Sequence, residues 1–328
     1  MSECVLVTGG AGYIGSHVCR ALAAAGRTPV SVDDLSTGNA WAVQWGPLER
    51  GDVGDLEFLK SVFAKYPIQA VMHLAGSALA GEGETRPVHY WHNNVSAGIT
   101  LLQSMSAANV RRIVFSSSCA LYGQPDRVPV DEELPIAPIS VYGRSKAAFE
   151  TVLADVAARG AIDYVALRYF NAAGAAADAA IGEWHQPETH LIPSVLLAIR
   201  NKTPVCVYGT DYDTADGTCV RDYVHVEDIA DAHLAALGRS ADGGGVAVNI
   251  GSGQGFSVNE VILSCEHVTG RRVQVRKLPR RPGDPARLFA DSSRARDVLG
   301  WTPRQVVLDR IVASAWHWLQ TGATVRSV

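Results

Sequence analysis

Residues 5–17 read VLVTGGAGYIGSH, an apolar run that ends in a glycine-rich turn. Three glycines, Gly9, Gly12 and Gly15, fall where a buried strand is expected to pass into a helix. Glycine lets backbone amides approach a pyrophosphate closely, and the positive end of the helix dipole then faces the phosphates. The stretch therefore predicts a strand, a turn and a helix arranged around a dinucleotide.

An acidic residue completes this pattern at the end of the next apolar run, PVSV. Asp33 lies 18 residues after Gly15. A carboxylate there can accept hydrogen bonds from both hydroxyls of the adenosine ribose and would repel a 2′-phosphate, so NAD is favoured over NADP. Asp52 and Val53 follow another short strand, and Asp52 is a candidate partner of the adenine. The alternative is an ordinary turn followed by a solvated pair of aspartates.

Apolar strands and amphipathic helices alternate along the first half of the chain. Strand-like runs are CVLVTG, PVSVDD, QAVMHLAG, RRIVFSSS and DYVALRYFN, with helical patterns such as GSHVCRALAAAG between them. This alternation is typical of a parallel sheet covered by helices on both faces. It predicts an α/β fold, with a Rossmann-like doubly wound parallel sheet and a smaller α/β substrate-binding lobe.

The chain is expected to cross between these two lobes. Residues 1–171 are assigned to the NAD-binding Rossmann domain, and residues 222–248, which include DYVHVEDIADAHLAAL, are expected to return to it. Residues 172–221 and 249–328 are assigned to the smaller lobe. The Ala-rich and Gly-rich stretch that follows Asn171 is interpreted as a loop that leaves the sheet.

Composition excludes several classes of protein. The 328 residues are 47% hydrophobic and 19% charged, which describes a globular chain rather than a disordered one. A net charge of −4 gives no general attraction to nucleic acid or to an anionic membrane. The six scattered cysteines, the lack of a long apolar run and a strand beginning at residue 4 predict a cytoplasmic protein without a signal peptide.

A second functional pattern is SVYGRSK at residues 140–146, in which Tyr142 and Lys146 would share one face of a helix. The pair could be a ring packed on an aliphatic stem, or a phenol whose pKa is lowered by an ammonium so that it acts as a base. Lowering a tyrosine pKa from about 10 to about 7 requires roughly 4 kcal/mol. Ser116, Ser117 and Ser118 end an apolar strand, where ligands bind in such sheets. A Ser/Tyr/Lys set beside a dinucleotide favours the catalytic interpretation.

Six motifs together resemble the UDP-galactose (UDP-glucose) 4-epimerases of the extended short-chain dehydrogenase/reductase family: TGGAGYIGSH, SSSCALYG, YGRSK, LRYFNAAGA, YGTDYDTADGTCVRDYVHVEDIADAH and RRPGD. The resemblance runs from residue 4 to about residue 318. It implies an isomerase that keeps NAD bound and forms a 4-keto sugar. Tyr142 would then remove the proton from the sugar 4-hydroxyl, Ser118 would hydrogen-bond the 4-oxygen, and Lys146 would bind the nicotinamide ribose.

The resemblance also implies binding roles for residues outside that trio. Residues that would line the NAD site are Tyr13, Ile14, Ala75, Gly76, Asn93 and Phe170. Residues that would hold the uridine diphosphate are Asn171, Tyr208, Arg221, Arg281 and Asp284. A guanidinium facing a diphosphate is physically reasonable.

The chain departs from the family pattern at three positions. Ala78 stands where some members have a lysine near the nicotinamide, which removes one phosphate contact. His190, followed by Leu191, stands where others have an asparagine near the substrate phosphate, and histidine can donate the same hydrogen bond. Leu288 stands where some members have a tyrosine beside the sugar 2-position. This smaller side chain predicts that UDP-GlcNAc is also accepted.

No metal site is expected. His185 and His190 are five residues apart, do not share a helical face and have no evident third ligand in the sequence. Cys119, next to Ser118, lacks the partners of a nucleophile and is expected to be a small buried residue.

Three other functions share this scaffold. A UDP-pentose (xylose/arabinose) 4-epimerase would use the same catalytic set and stays an alternative. A sugar-nucleotide 4,6-dehydratase carries an Asp-Glu pair directly after the active-site hydroxyl, where this chain has Cys119 and Ala120. A non-catalytic nucleotide sensor would typically lose the tyrosine or the lysine.

The expected partners are a UDP-sugar and a second copy of the chain. By resemblance, a homodimer would form through helices at about 93–108 and 141–158. The apolar positions Leu101, Leu102, Phe149 and Leu153 would serve this contact, although residues of a buried core would have the same pattern.

Overall fold

The predicted alternation of strands and helices is present throughout the first half of the chain. The structure is a computed structural model and describes residues 3–239, 244–281 and 283–322. Within these ranges the strands are β1 Cys4–Thr8, β2 Thr28–Asp33, β3 Leu48–Arg50, β4 Ile68–His73, β5 Arg112–Ser118, β6 Asp163–Tyr169, β7 Asn171–Ala173, β8 Val205–Tyr208, β9 Val220–Arg221, β10 Tyr223–His225, β11 Gly245–Ile250, β12 Phe256–Ser257, β13 Val275–Leu278 and β14 Arg287–Leu288.

Helices connect most of these strands. They are α1 Tyr13–Ala24, α2 Leu56–Lys65, α3 Ala80–Thr85, α4 Pro87–Trp91, α5 Ala97–Ala107, α6 Val141–Ala157, α7 Leu191–Asn201, α8 Val226–Gly238, α9 Val258–Thr269, α10 Ser293–Leu299 and α11 Leu308–Thr321. A π-helical turn, His92–Ser96, joins α4 to α5. Two 3₁₀ turns lie at Ala40–Ala42 and Cys119–Tyr122.

The main sheet is parallel, with strand order β11-β6-β5-β4-β1-β2-β3 in the described part of the chain. The chain builds outward from β1 to β3, then crosses back through α2 to place β4 on the other side of β1. The strand order therefore reverses between β1 and β4. In doubly wound sheets this reversal opens a crevice at the carboxyl ends of the strands, where ligands bind.

Helices bury both faces of this sheet, which explains the continuous apolar strands. Val5 and Val7 pack with α1 and α8 on one face, whereas Leu6 between them packs with α2, α5 and α6 on the other. All three are fully buried. Side chains alternate between the faces of a strand, so a strand covered on both sides must be apolar at every position. The predicted fold class is confirmed.

The helices expected to form a dimer contact are part of this core. The four apolar side chains named for that contact lie in one buried cluster under the sheet: Leu101, Leu102, Phe149 and Leu153. Three of them are 0% exposed and Leu102 is 8% exposed. They pack within the subunit and are not available to a second chain.

The remaining elements form smaller sheets and a separate helical cluster. β8 pairs with β13 in parallel, β12, β9 and β14 form a three-stranded sheet, and β7 pairs with β10. Helices α7, α9 and α11 surround a third apolar core. α9 begins with a capping box in which Ser257 and Glu260 bond each other's backbone amides.

The loop predicted after Asn171 runs from the end of β7 to the start of α7. β11 joins the main sheet and extends through Ile250, two residues past the expected end of the returning segment at 248. The division of the chain into lobes at 171, 221 and 248 stays a prediction. Residues 1–2, 240–243, 282 and 323–328 of those lobes lie outside the described residues.

The described helices include none that is both long enough and apolar enough to cross a membrane. The six cysteines are all free thiols, and every one except Cys206 is buried.

Candidate active site

The glycine-rich turn between β1 and α1 has the shape that an anion at a helix N-terminus requires. Gly12 precedes α1 without a side-chain cap, and the first turn of α1 carries no acidic residue. Gly9 has a φ of +73°, and a Cβ on it would lie 2.7 Å from the backbone nitrogen of Ala75. A Cβ on Gly15 would lie 2.0 Å from the carbonyl oxygen of Gly9. Only glycine fits these positions, which leaves the first amides of α1 open to a pyrophosphate.

Hydrogen bonds hold the Asp33 side chain against the same turn. Asp33 ends β2 and is 8% exposed. Its Oδ2 accepts a hydrogen bond from the Ala11 amide at 3.0 Å, and its Oδ1 accepts one from the Leu35 amide at 2.9 Å. Burial raises the pKa of this carboxyl, and the two amides counteract that rise. The turn and the acid therefore form one unit, and this arrangement fits the pyrophosphate and ribose of a dinucleotide.

Asp52 and Val53 lie beside Asp33 at this edge of the sheet. The Gly51 amide donates to the Asp33 carbonyl at 3.1 Å, which holds the segment after β3 against the end of β2. Asp52 is exposed and accepts a hydrogen bond from the Gly54 amide at 2.7 Å. Val53 is buried in the core. The predicted contact of Asp52 with adenine stays a prediction.

The segment after β4 lies between the glycine turn and α6. A Cβ on Gly76, whose φ is +156°, would lie 2.9 Å from Oδ1 of Asn94 and 3.6 Å from Nζ of Lys146. Asn93, the predicted residue, donates to the Ser77 hydroxyl at 2.9 Å. Its neighbour Asn94, which the sequence reasoning missed, is more central. It is 2% exposed and bonds both Ser77 and Ser145 of α6, so it ties this segment to α6.

Four further predicted residues lie around this crevice. Tyr13 begins α1, and its hydroxyl donates to the Gly174 carbonyl at 2.6 Å. Ile14 and Phe170 pack in the core cluster that contains Val5 and Val7, on the face of the sheet covered by α1 and α8. Asn171 begins β7, and its backbone N–H donates to the backbone carbonyl of Asp222 at 3.0 Å. The residues after β6 are thus held against α1, on the same side as the glycine turn.

Ser118, Tyr142 and Lys146 are brought together at the carboxyl end of β5. Ser118 is the last residue of β5, and Tyr142 lies in the first turn of α6, whose N-cap is Ser140. Lys146 lies one turn further on and is 4% exposed. Its Nζ donates to the Ser116 carbonyl at 2.8 Å and lies 5.8 Å from the centre of the Tyr142 ring. Tyr142 and Lys146 therefore share one face of α6, as the spacing predicts.

The protein's own groups keep Tyr142 protonated at neutral pH. Burial raises the pKa of Tyr142 to about 12, and a hydrogen bond with Ser118 opposes the rise. Burial also lowers the pKa of Lys146 to about 8, against the attraction of Glu150. The sequence argument placed Tyr142 near its ordinary pKa before activation. Burial makes the required shift larger, because it takes the phenol out of water.

A buried ion pair lies between α6 and the strand β6. Glu150, one turn after Lys146, pairs with Arg168 of β6 at 2.6 Å, and the two side chains are 8% and 7% exposed. Arg168 also donates to the Tyr122 hydroxyl at 2.9 Å. The pair joins α6 to β6, and no motif in the sequence identified it.

The residues predicted to hold a diphosphate meet at two small sheets. Arg221 of β9 pairs with Asp284 at 3.2 Å, and Leu288 of β14 lies opposite Arg221 in the parallel register. Tyr208 ends β8, and the guanidinium of Arg281 lies 4.0 Å from the centre of its ring. Pairing of β8 with β13 and of β9 with β14 thus brings together side chains that are far apart in the sequence, such as Tyr208 and Arg281.

His190 and Leu191 stand at the start of α7, His190 as its N-cap. The Nδ1 atom of His190 faces the buried carboxylate of Glu183, as does Nδ1 of His185 at 3.2 Å, and Glu188 lies beside both rings. The sequence argument against a metal site cited the spacing of the two histidines and the lack of an evident third ligand, and the expectation of no metal stays a prediction. The loop brings Glu183 and Glu188 to the two histidines.

Cys119 is buried, as expected. Burial raises the pKa of its thiol to about 12, so it stays protonated at neutral pH. It is therefore neither a thiolate nucleophile nor a proton carrier next to Ser118.

Comparison with known proteins identifies the family. Residues 5–251 match the NAD dependent epimerase/dehydratase family. The chain is 48% identical over 318 residues to the UDP-glucose 4-epimerase of Rhizobium leguminosarum bv. trifolii, covering 96% of this chain and 97% of that protein.

Two solved structures have nearly the same fold. The UDP-glucose 4-epimerase of Brucella ovis in complex with NAD has a TM-score of 0.93 and 45% identity, covering 97% of this chain and 98% of that one. The enzyme of Stenotrophomonas maltophila, with bound NAD and formylated UDP-arabinopyranose, has a TM-score of 0.95 and 40% identity, covering 99% and 100%. The predicted family and the predicted NAD cofactor are confirmed. The chain therefore belongs to the NAD-dependent epimerase/dehydratase family and, within it, to the UDP-glucose 4-epimerases.

Proposed function

We propose that this chain is an isomerase that interconverts UDP-galactose and UDP-glucose by reversible oxidation at C4 of the sugar. The observation that carries the proposal is the placement of Ser118, Tyr142 and Lys146 beside the glycine-rich turn. The near full-length similarity to UDP-glucose 4-epimerases supports it. NAD, when bound, supplies the acceptor and later the donor of the C4 hydride.

Tyr142 moves the proton in both halves of the reaction. As C4 loses its hydride, the 4-hydroxyl gives its proton to the phenolate oxygen of Tyr142, which leaves a 4-keto sugar. The sugar then turns in the site and receives the hydride on its other face, while Tyr142 returns the proton to the 4-oxygen. Ser118 hydrogen-bonds the 4-oxygen in both states, since its hydroxyl already contacts Tyr142.

Positive charge must hold Tyr142 in its ionised form. Bringing its pKa from about 12 to near 7 requires about 7 kcal/mol, at 1.36 kcal/mol per pKa unit. With a pKa of about 8, Lys146 is mostly a cation at neutral pH. It lies in a cleft of low dielectric, where its charge acts more strongly than in water. Lys146 therefore supplies part of this energy, and the bound cofactor supplies the rest.

The uridine diphosphate is assigned to the smaller lobe. Arg221 and Arg281 are the cations that face the diphosphate, and Tyr208 holds the Arg281 guanidinium over its ring. Asp284 keeps Arg221 in place through their ion pair. The remaining residues assigned to the substrate are Asn171, Leu191, Leu288 and His190, whose Nδ1 faces Glu183 and whose Nε2 is the nitrogen assigned to the substrate phosphate.

The buried Leu288 supports a wider range of sugars. It is 8% exposed and lies in register with Arg221, at one end of the proposed diphosphate site. Its side chain is shorter than tyrosine and carries no hydroxyl. We therefore assign UDP-GlcNAc and UDP-GalNAc as further substrates.

A UDP-pentose 4-epimerase is the alternative that shares every catalytic residue. A panel of UDP-galactose, UDP-GalNAc and UDP-xylose, each resolved from its 4-epimer by chromatography, separates the two. Faster turnover of UDP-galactose than of UDP-xylose supports the proposal, and turnover of UDP-xylose alone overturns it.

The dehydratase is disfavoured because neither residue after Ser118 can transfer a proton at neutral pH. Burial raises the pKa of the Cys119 thiol to about 12, and Ala120 has no ionisable group.

We further propose a cytoplasmic homodimer. Six free thiols suit a reducing compartment. Val88, Trp91 and Ile99, on α4 and α5, are 80%, 40% and 39% exposed and offer an apolar contact in place of the buried residues first considered. Light scattering is expected to give twice the chain mass for the wild type and the monomer mass for W91E. A wild-type monomer at micromolar concentration would contradict the proposal.

A further inference from the structure

Four potential metal ligands converge in the loop that precedes α7. One ligand atom each of Glu183, His185, Glu188 and His190 lies within 4.8 Å of all the others. The two carboxylates are buried, with side chains 6% and 8% exposed, and the two imidazoles lie above them. The group combines two nitrogen and two oxygen donors, all from one eight-residue segment.

The separations between these atoms are close to those of a coordination shell. In a tetrahedral site with metal–ligand bonds of about 2.0–2.1 Å, neighbouring ligand atoms lie about 3.3 Å apart. Nδ1 of His185 lies 3.2 Å from Oε1 of Glu183 and 3.8 Å from Oε2 of Glu188. Nδ1 of His190 lies 3.8 Å from Oε1 of Glu188. Nδ1 of His190 and Oε1 of Glu183 are closer than two ligands of one ion, so this pair must separate when both bind it.

The charges of the cluster also favour an ion. Among the described residues, no lysine or arginine forms an ion pair with Glu183 or Glu188, so the two imidazoles are their only cationic partners. Both imidazoles turn Nδ1 toward the same oxygen of Glu183. Nδ1 of His185 is also buried and makes no hydrogen bond despite its 3.2 Å distance. One dication would be balanced by the two carboxylates and would bond this unsatisfied nitrogen.

We propose that Glu183, His185, Glu188 and His190 bind one divalent transition-metal ion, with Zn²⁺ best matched to the two-nitrogen, two-oxygen donor set. With four protein ligands the site is structural rather than catalytic. The ion closes the loop at the N-terminus of α7. That loop is also tied to α11, because the Trp318 indole donates to the Glu183 carbonyl at 2.8 Å. The proposal does not depend on the sugar reaction, since metal content and metal binding are measured without turnover.

The test measures zinc in the purified full chain with its cofactor. After dialysis against a chelator and removal of the chelator, Zn²⁺ is added back and bound metal is determined by elemental analysis and by competition with a chromogenic chelator. The wild type is expected to bind one Zn²⁺ per chain. H185Q and E188Q are expected to weaken binding by more than about 100-fold, since even outer-shell partners of a metal are worth 10–100-fold.

The matched control is H267Q. His267 faces Asp309 at 2.9 Å, but its side chain is 78% exposed and only one carboxylate partners it. H267Q is expected to bind Zn²⁺ as the wild type does. Wild-type protein that binds less than a stoichiometric amount at micromolar Zn²⁺, or equal loss in H267Q and H185Q, would overturn the proposal.

A second measurement distinguishes a variant that has lost metal binding from a variant that is misfolded. Added Zn²⁺ is expected to raise the melting temperature of the wild type and of H267Q, while leaving that of H185Q unchanged. Co²⁺ substitution is expected to give the intense visible absorption of a tetrahedral site in the wild type and in H267Q but not in H185Q. If all three proteins melt at the same temperature with and without Zn²⁺, the cluster is a proton-shared group of side chains and the site does not exist.

Discussion

The ammonium of Lys146 donates to the Ser116 carbonyl at 2.8 Å, while its Nζ lies 5.8 Å from the centre of the Tyr142 ring on the same helix face. The lysine is thus anchored to β5 and not to the phenol. The proposed effect of its charge on Tyr142 therefore acts through space, in surroundings of low dielectric where a charge acts more strongly than in water. A substitution at either residue therefore tests a different part of the proposed mechanism.

Removing the Tyr142 hydroxyl is expected to abolish proton transfer without emptying the cofactor site. Y142F should lower kcat by at least about 10²–10⁴-fold, the usual contribution of a positioned acid-base group. Its NAD content, measured after denaturation, should match that of the wild type. Y66F is the control, because the Tyr66 hydroxyl bonds Glu49 of β3, the edge strand four places from β5 in the main sheet. Activity of Y142F within tenfold of the wild type would contradict the role of Tyr142.

Replacing Lys146 by methionine is expected to raise the free energy of unfolding and to lower the activity. Because burial lowers the pKa of Lys146 from 10.5 to about 8, the charged form is disfavoured in the fold. K146M should therefore gain up to about 3 kcal/mol at pH 7, less about 1 kcal/mol for the lost hydrogen bond to Ser116. It should also lose most of its activity. Urea unfolding measures the first effect and an epimerase assay the second.

The gain in K146M has a defined dependence on pH. Below pH 8 the native wild type carries the full cost of the buried charge. Between pH 8 and 10.5 the native lysine is neutral while the unfolded one is still charged, so wild-type stability rises and the advantage of K146M disappears. An advantage that persists unchanged to pH 10.5 would show that the ammonium is not the cause.

A methyl group at Gly15 is expected to remove the bound cofactor. Its Cβ would lie 2.0 Å from the Gly9 carbonyl oxygen, so the turn must open and the amides that face the pyrophosphate move. G15A should therefore purify with little or no NAD. G238A is the control, since a Cβ there meets nothing within 4 Å. The absorbance of NAD released from the denatured protein distinguishes them, and full occupancy in G15A would be inconsistent with the site.

Leu288 is expected to control the size of the sugar that is accepted. L288Y should lower kcat/KM for UDP-GlcNAc at least about tenfold, because the larger ring takes the space of the N-acetyl group. Its kcat/KM for UDP-glucose should stay within a few-fold. The ratio of the two constants is the measurement, and no detectable turnover of UDP-GlcNAc by the wild type would exclude this specificity.

Breaking the buried ion pair behind α6 is expected to be costly. R168M leaves Glu150 charged and unpaired, which should lower the free energy of unfolding by about 3–5 kcal/mol. K60M breaks the exposed pair with Glu57 and should change it by less than about 1 kcal/mol. Denaturant unfolding of both variants compares them, and similar effects would show that burial does not set the cost.

Local patterns predicted the strands of the main sheet, the glycine-rich turn and the position of Asp33 at a strand end. The turn at Gly9 and the acid at Asp33 depend on strand ends and helix starts, which short-range patterns report directly. Asn94 lies in the π-helical turn His92–Ser96. The periodicity of the sequence does not predict this turn, so it does not predict which of the two asparagines is buried. The sequence reasoning named only Asn93, and the contact predicted for Asn93 with NAD stays a prediction.

Properties that depend on depth or on distant packing could not be predicted. The helical pattern of Leu101 and Phe149 fits an interface as well as a core, and only the fold shows that both are buried. The same limit applies to Tyr142, because its pKa is set by burial that no motif records. Glu183 and Glu188 meet the two histidines through an irregular loop, and loop shape follows from tertiary contacts rather than from spacing.

The central claim is that the protein interconverts UDP-sugars at C4 with a cofactor that it retains. The most direct test incubates the purified protein with UDP-galactose, without added NAD, and separates UDP-glucose from UDP-galactose over time. We expect UDP-glucose to accumulate until the two sugars reach equilibrium. If no UDP-glucose forms, even after NAD is supplied, the proposed hexose 4-epimerase activity is contradicted.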